Sequence, residues 1–143
     1  MLTTSAPSVP EVASRLRLAI TRTARRLRQQ SDPALSPTQA AALATIERAG
    51  PLTPSELARI ERVQRPTISR VSARLEETGL IERQPDERDG RGARLRATAE
   101  GRRTLRALRS RKTAYLAERL DPDDLAVLAR ASDLLERLLE EDE

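Results

Sequence analysis

Between Pro54 and Gly101 the chain alternates helix-start signals, apolar spacing and glycine stops in an order that few folds can accommodate. The stretch "PSELARIERVQRPTISRVSARLEETGL" divides into two short helical patterns at a brief polar connection. Thr53 precedes Pro54 and lies three residues before Glu56, a capping box with proline where its missing N–H costs nothing. Leu57 and Ile60 share one face and Val63 continues the stripe, which predicts a short helix with a single buried side. The second helix is expected to open at Pro66 and stop at Gly79, the residue best suited to a left-handed C-terminal position. Ile68, Val71 and Leu75 fall in one narrow sector and should face a core. Pro66, Ser69, Arg70 and Ala73 lie opposite, with Thr67 and Arg74 at the margin and Arg65 at the helix start.

The next stretch, "IERQPDERDGRGARLRAT", reads as a charged β-hairpin. Leu80, Ile81 and Arg83 lead in, and Arg94, Leu95 and Arg96 lead out. Asp86, Arg88, Asp89 and Arg91 sit beside Gly90 and Gly92, which predicts a flexible, exposed tip. Helix, turn, helix and hairpin in this order make a winged helix-turn-helix. The outward face of the second helix is small in its middle and donor-rich around it, which suits close approach to a major groove. Arg65, Pro66, Thr67, Ser69, Arg70 and Arg74 are the candidate contacts there, with phosphate favoured over base edges for the arginines. At the tip Arg91 is the candidate for a minor groove. Asp89 is placed to hold its guanidinium in a fixed pose, and Arg88 and Arg94 are candidate phosphate contacts.

A helix ending "LEETGLIER" followed by "DERDGRGARLRATAEG" resembles the multiple-antibiotic-resistance regulator (MarR) family of bacterial transcription factors. That family's wing carries two aspartates three apart, an arginine two further on, then Leu-Thr and Gly; here these positions read Asp86, Asp89, Arg91, Ala97-Thr98 and Gly101. Ala97 in place of leucine is the one departure, at the strand exit. The resemblance implies a minor-groove role for Arg91 and a dimer lobe made by the first, fifth and sixth helices. It also implies a small effector, often aromatic or phenolic, bound between the two lobes and shifting the spacing of the recognition helices.

A chain of 143 residues suits one domain with a modest core, and the absence of Phe and Trp leaves that core to Leu, Ala, Val and Ile. There is no cysteine and no histidine, which excludes disulfides, thiolate metal sites, a Ser-His triad and a His-based zinc site. No metal or other cofactor is expected, and no enzyme activity. Glu76 and Glu77 occupy adjacent helix positions and do not converge as a catalytic pair would. No apolar run is long enough to span a bilayer, and the N-terminus lacks the pattern of a signal peptide, so no membrane association and a cytoplasmic location are expected.

The net charge of +4 conceals an asymmetry. Residues 55–111 hold fifteen arginines against nine acids, whereas residues 121–143 hold two against nine. Positive charge therefore gathers on the winged segment, where it would displace counterions from phosphates and steer association. Of the 26 basic residues only Lys112 is lysine, but arginine is used throughout the chain, as in a GC-rich genome, and carries no site information by itself.

Outside this segment the start signals recur. Ser36-Pro37-Thr38-Gln39 repeats the capping box, Asp121-Pro122-Asp123-Asp124 places acids at another start, and Pro10 and Thr98 open two more helices. The expected fold is mainly α, about six helices with one hairpin after the fourth. Residues 1–34 form the N-terminal helix of a dimerisation lobe, 35–98 the winged DNA-binding lobe, and 99–143 the C-terminal helices of the dimerisation lobe, in one domain overall. The first helix, roughly Pro10 to Gln30, aligns Val12, Leu16, Ile20, Thr23 and Leu27. The fifth, about Ala99 to Leu120, aligns Leu105, Leu108, Tyr115 and Leu116. In the last, Leu125, Val127, Leu128, Leu134, Leu135, Leu138 and Leu139 cover more than one stripe. A helix apolar on two sides needs two neighbours, so a two-fold homodimer through Val12, Leu16, Leu125, Leu128, Leu135 and Leu138 is expected. Such a dimer would bind a pseudo-palindromic double-stranded operator, as a repressor released by a small molecule. A ligand-independent or partner-dependent DNA-binding protein is the alternative. Arg22, Thr45 and Tyr115 lie on helices that could border an effector cleft, but no ligand residue is assigned.

Overall fold

The computed structural model describes residues 5–30, 32–86 and 92–140. The order is α1 (Val9–Arg28), α2 (Pro37–Ala49), α3 (Pro54–Glu61), α4 (Arg65–Glu77), β1 (Ile81–Pro85), β2 (Ala93–Ala97), α5 (Ala99–Ala117), a 3-10 turn (Pro122–Asp124) and α6 (Leu125–Glu140). The chain divides into two compact units, Met1–Lys112 and Thr113–Glu143, with the boundary inside α5. No helix among the described residues is long and apolar enough to cross a membrane.

In the first unit, helix starts follow local chemistry. The Ser8, Ser36 and Thr53 hydroxyls each accept a hydrogen bond from the backbone N–H three residues on, while the side-chain oxygens of Glu11, Gln39 and Glu56 accept one from the cap residue's own N–H, so α1, α2 and α3 all open on complete capping boxes. Arg62 at φ 53° turns the chain between α3 and α4, and Gly79 at φ 75° turns it from α4 into β1. The core gathers Leu43 and Ile46 from α2, Leu57 from α3, Ile68 and Leu75 from α4, Leu95 from β2 and Leu105 from α5. Each such side chain removed from water contributes about 1.5–3 kcal/mol.

One apolar position departs from the expected stripe. Ile60 is 48% exposed, whereas Pro54, Leu57 and Ala58 are buried. Alpha-helical spacing explains this: the buried face of α3 centres between Leu57 and Ala58, and Ile60 lies roughly 110° around the axis from it. The α4 helix starts one residue earlier than expected, at Arg65, and Ile68, Val71 and Leu75 are all buried as its spacing predicts.

The strands pair antiparallel with Ile81 opposite Ala97 and Pro85 opposite Ala93. A third short segment joins them, since Leu52 N–H donates to the Leu95 carbonyl at 3.1 Å and Leu95 N–H returns to Leu52 at 2.7 Å. Gly50 makes this approach possible: a Cβ there would lie 2.3 Å from the Ile46 carbonyl oxygen and 3.3 Å from that of Leu95. The stripe of α1 packs less than its spacing suggests, with Val12, Leu16 and Ile20 exposed and no residue of the helix buried.

In the second unit, Asp121 accepts from the Asp123 N–H at 2.9 Å and starts a 3-10 turn ahead of α6. Arg119 stacks its guanidinium 3.7 Å from the centre of the Tyr115 ring. Leu125, Val127, Leu128, Leu134, Leu138 and Leu139 of α6 are exposed, and Leu135 is half-buried.

Candidate nucleic-acid interface

The α4 helix is pinned by its apolar side and presents the other to solvent. Pro66, Ser69, Arg70 and Ala73 are exposed, and Thr67 is half-buried. Arg70 makes no ion pair or hydrogen bond among the described residues. Arg65 reaches Ser69 Oγ only at 3.5 Å, and Arg74 meets Glu77 at 3.5 Å with both side chains more than half exposed. Exposed pairs of this length hold a guanidinium weakly, so these arginines can be redirected to another anion at little cost. Gln64 caps the helix through its backbone alone: its carbonyl accepts from the Thr67 and Ile68 N–H groups at 3.0 and 3.2 Å, its side chain makes no cap hydrogen bond, and Pro66 has no N–H to offer.

The root of the hairpin is held from both sides. Toward α4, Arg83 Nε donates to Glu76 at 2.8 Å, and Thr98 Oγ1 donates to the Gly79 carbonyl at 2.6 Å. Toward the α2–α3 connection, Arg94 Nε donates to Asp86 Oδ1 at 3.2 Å while its Nη1 donates to the Pro51 carbonyl at 3.2 Å. Asp86 was expected on a flexible, exposed tip. It is instead buried, with its N–H bonded to the Gly92 carbonyl at 3.0 Å, because pairing continues one step past β1. Glu82 and Arg96, opposite each other in the ladder, form an exposed cross-strand pair at 2.9 Å. Arg88, Asp89 and Arg91 lie outside the described residues.

Sequence reasoning missed the engagement of Arg83 with Glu76 and of Arg94 with Pro51. The second pair is 43 residues apart in the chain, and no local pattern signals it. Away from α4, a pocket of about 180 Å³ is lined by Pro37, Ala40, Ala41 and Ala44 of α2 and by Leu105 and Leu108 of α5, with Arg28, Arg109 and Lys112 at its margin. Thr45, noted as a possible cleft residue, is instead buried and donates to Glu61.

The MarR family model matches residues 35–92, from just ahead of α2 to the residue before β2. A helix-turn-helix-type transcriptional regulator of Mycobacterium leprae is 38% identical over 136 residues, covering 91% of this chain and 94% of that protein. The chain belongs to the MarR family. A solved structure from Pseudomonas aeruginosa, assigned as a transcriptional regulator, is 34% identical with a TM-score of 0.79, covering 93% of this chain and 98% of that one. At 20% identity and a TM-score of 0.62, FabT of Streptococcus pneumoniae, solved in complex with DNA, shares the fold over 95% of this chain and all of its own. Members of the MarR family are transcriptional regulators that bind DNA, and the winged helix-turn-helix described above is the family's fold.

Proposed function

We propose that this MarR-family chain is a homodimeric repressor that grips a pseudo-palindromic double-stranded operator and lets go when a small molecule binds. The observation that carries the DNA-binding part is the exposed, loosely paired arginine face of α4 beside a hairpin whose root is held on two sides. FabT, which shares the fold, was solved with DNA, and that supports the same use of the surface here. In this reading Arg65, Pro66, Thr67, Ser69, Arg70 and Arg74 meet one major groove, and Arg91, steadied by Asp89, enters the flanking minor groove with Arg88 on phosphate. No metal or other cofactor takes part.

Dimerisation is supported by the uncovered apolar residues of α1 and α6, Val12, Leu16, Leu125, Leu128 and Leu138 foremost. An uncovered apolar face on each of these helices marks an interaction surface, and a second copy supplies the same residues in return. Half-sites then lie about one helical turn apart, roughly 34 Å. Release by ligand is supported by the pocket between α2 and α5, whose apolar walls and cationic margin suit a small amphipathic anion.

The test is to select duplexes from a random library with the full chain, then titrate the recovered duplex at several salt concentrations while sedimentation reports the mass. A two-fold sequence bound by a dimer with steep salt dependence is expected. A stable monomer, or no preference over competitor, would refute the proposal. Aromatic carboxylates are then added to the complex; indifference to every one would favour the ligand-independent alternative.

A further inference from the structure

We infer that Arg94 acts on DNA recognition from behind the surface, as a strut that sets the angle of the wing, and that Asp86 and the Pro51 carbonyl are its two footings. The inference rests on the DNA-binding reading above but concerns a residue whose type and place in the hairpin suggest a phosphate contact.

The geometry favours the strut. The Arg94 side chain is only 25% exposed and that of Asp86 10%, against 53–63% for the wing and helix arginines Arg96, Arg74 and Arg103. Two different nitrogens of the guanidinium are committed to acceptors on two different segments, Nε to Asp86 and Nη1 to Pro51. A planar fork held in this way keeps both bonds only in one orientation. Turning it outward to a phosphate would strip a buried carboxylate and a backbone carbonyl of a donor at once.

Location supplies the rest. Asp86 is the first residue past β1 and closes the hairpin root through its N–H to Gly92. Pro51 adjoins Leu52, whose two backbone hydrogen bonds to Leu95 attach β2 to the α2–α3 connection. Arg94 therefore joins the leading edge of the wing loop to the body that also seats α3 and α4. With Arg83–Glu76 on the opposite side, the hairpin is fixed against rocking toward or away from the recognition helix. A wing free to rock would enter the minor groove at a higher entropic cost.

Arg94→Gln and Arg94→Lys are titrated against the duplex recovered by the wild-type chain, with a salt series and a hydroxyl-radical footprint. The strut requires that Arg94→Gln binds roughly tenfold more weakly, the worth of one charge-assisted hydrogen bond, with the salt slope unchanged. It also requires that Arg94→Lys fails to restore affinity, since an ammonium cannot span both footings. The footprint should lose minor-groove protection by the wing while protection by α4 persists, which general destabilisation would not produce. A salt slope reduced by about 0.9 in Arg94→Gln, rescue by lysine, or no loss of affinity would each overturn the strut in favour of a phosphate contact or no role. Thermal melting of Arg94→Lys, which keeps charge and bulk, checks that binding is read on folded protein. Failure of the wild-type chain to select any duplex would instead sink the DNA-binding reading itself.

Discussion

Replacing Gly101 by alanine should destabilise the protein although it sits in a helix, where alanine is worth up to about 1 kcal/mol over glycine. A Cβ at this position would lie 2.1 Å from the Leu80 carbonyl oxygen, 3.1 Å from its carbon and 3.3 Å from Leu43 Cδ1. The first two are backbone atoms, so relief requires moving the start of α5 or the entry to β1 by roughly 1 Å. That oxygen accepts from Thr98 N–H at 3.0 Å, and the Gly101 N–H donates to Thr98 Oγ1 at 3.1 Å, so either movement strains the same corner. Two weakened hydrogen bonds at about 1 kcal/mol each, with overpacking of about 1–3 kcal/mol and the helix gain deducted, leave a net loss of roughly 2–4 kcal/mol. Urea unfolding and thermal melts of both proteins at one concentration would show a midpoint lower by roughly 5–15 °C. Gly79→Ala is the informative companion, because nothing lies within 4 Å and only its φ of 75° opposes a side chain. It should lose only about 1–2 kcal/mol. A Gly101→Ala protein as stable as the parent, or more so, would refute the close approach.

Two further outcomes bear on function. Arg91→Ala should weaken operator binding by on the order of tenfold or more in a fluorescence titration, while Arg17→Ala in α1 leaves it unchanged; equal and negligible losses would remove Arg91 from the interface. Leu128→Glu, at a position 39% exposed in the single chain, should leave helix content intact by circular dichroism yet sediment as a monomer. Binding to a two-half-site duplex should then fall by on the order of a hundredfold or more; a surviving dimer would move the interface elsewhere.

Much of the fold was legible because its signals are local. The capping boxes at Ser36 and Thr53, the buried triad of Ile68, Val71 and Leu75, and the left-handed Gly79 each depend on residues within about one helical turn. The box at Ser8 follows the same rule, with Pro10 in the first turn of the helix that it opens. Ile60 misled because three-residue spacing describes a face only when its centre is known, and eight residues do not define that centre. On the interface, the outward side of α4 followed from the position of its inward side. The burial of Asp86 and the double engagement of Arg94 did not, since they are set where the α2–α3 connection meets β2, a juxtaposition only the folded chain creates.

The hydroxyl of Thr98 occupies the corner between two helices that are remote in sequence: it accepts from the first turn of α5 and donates to the residue that ends α4. A small movement of the first turn of α5 would therefore be felt directly at the tail of α4. In mechanical terms the corner is a crank, a short and stiff link between the opening of α5 and the close of α4.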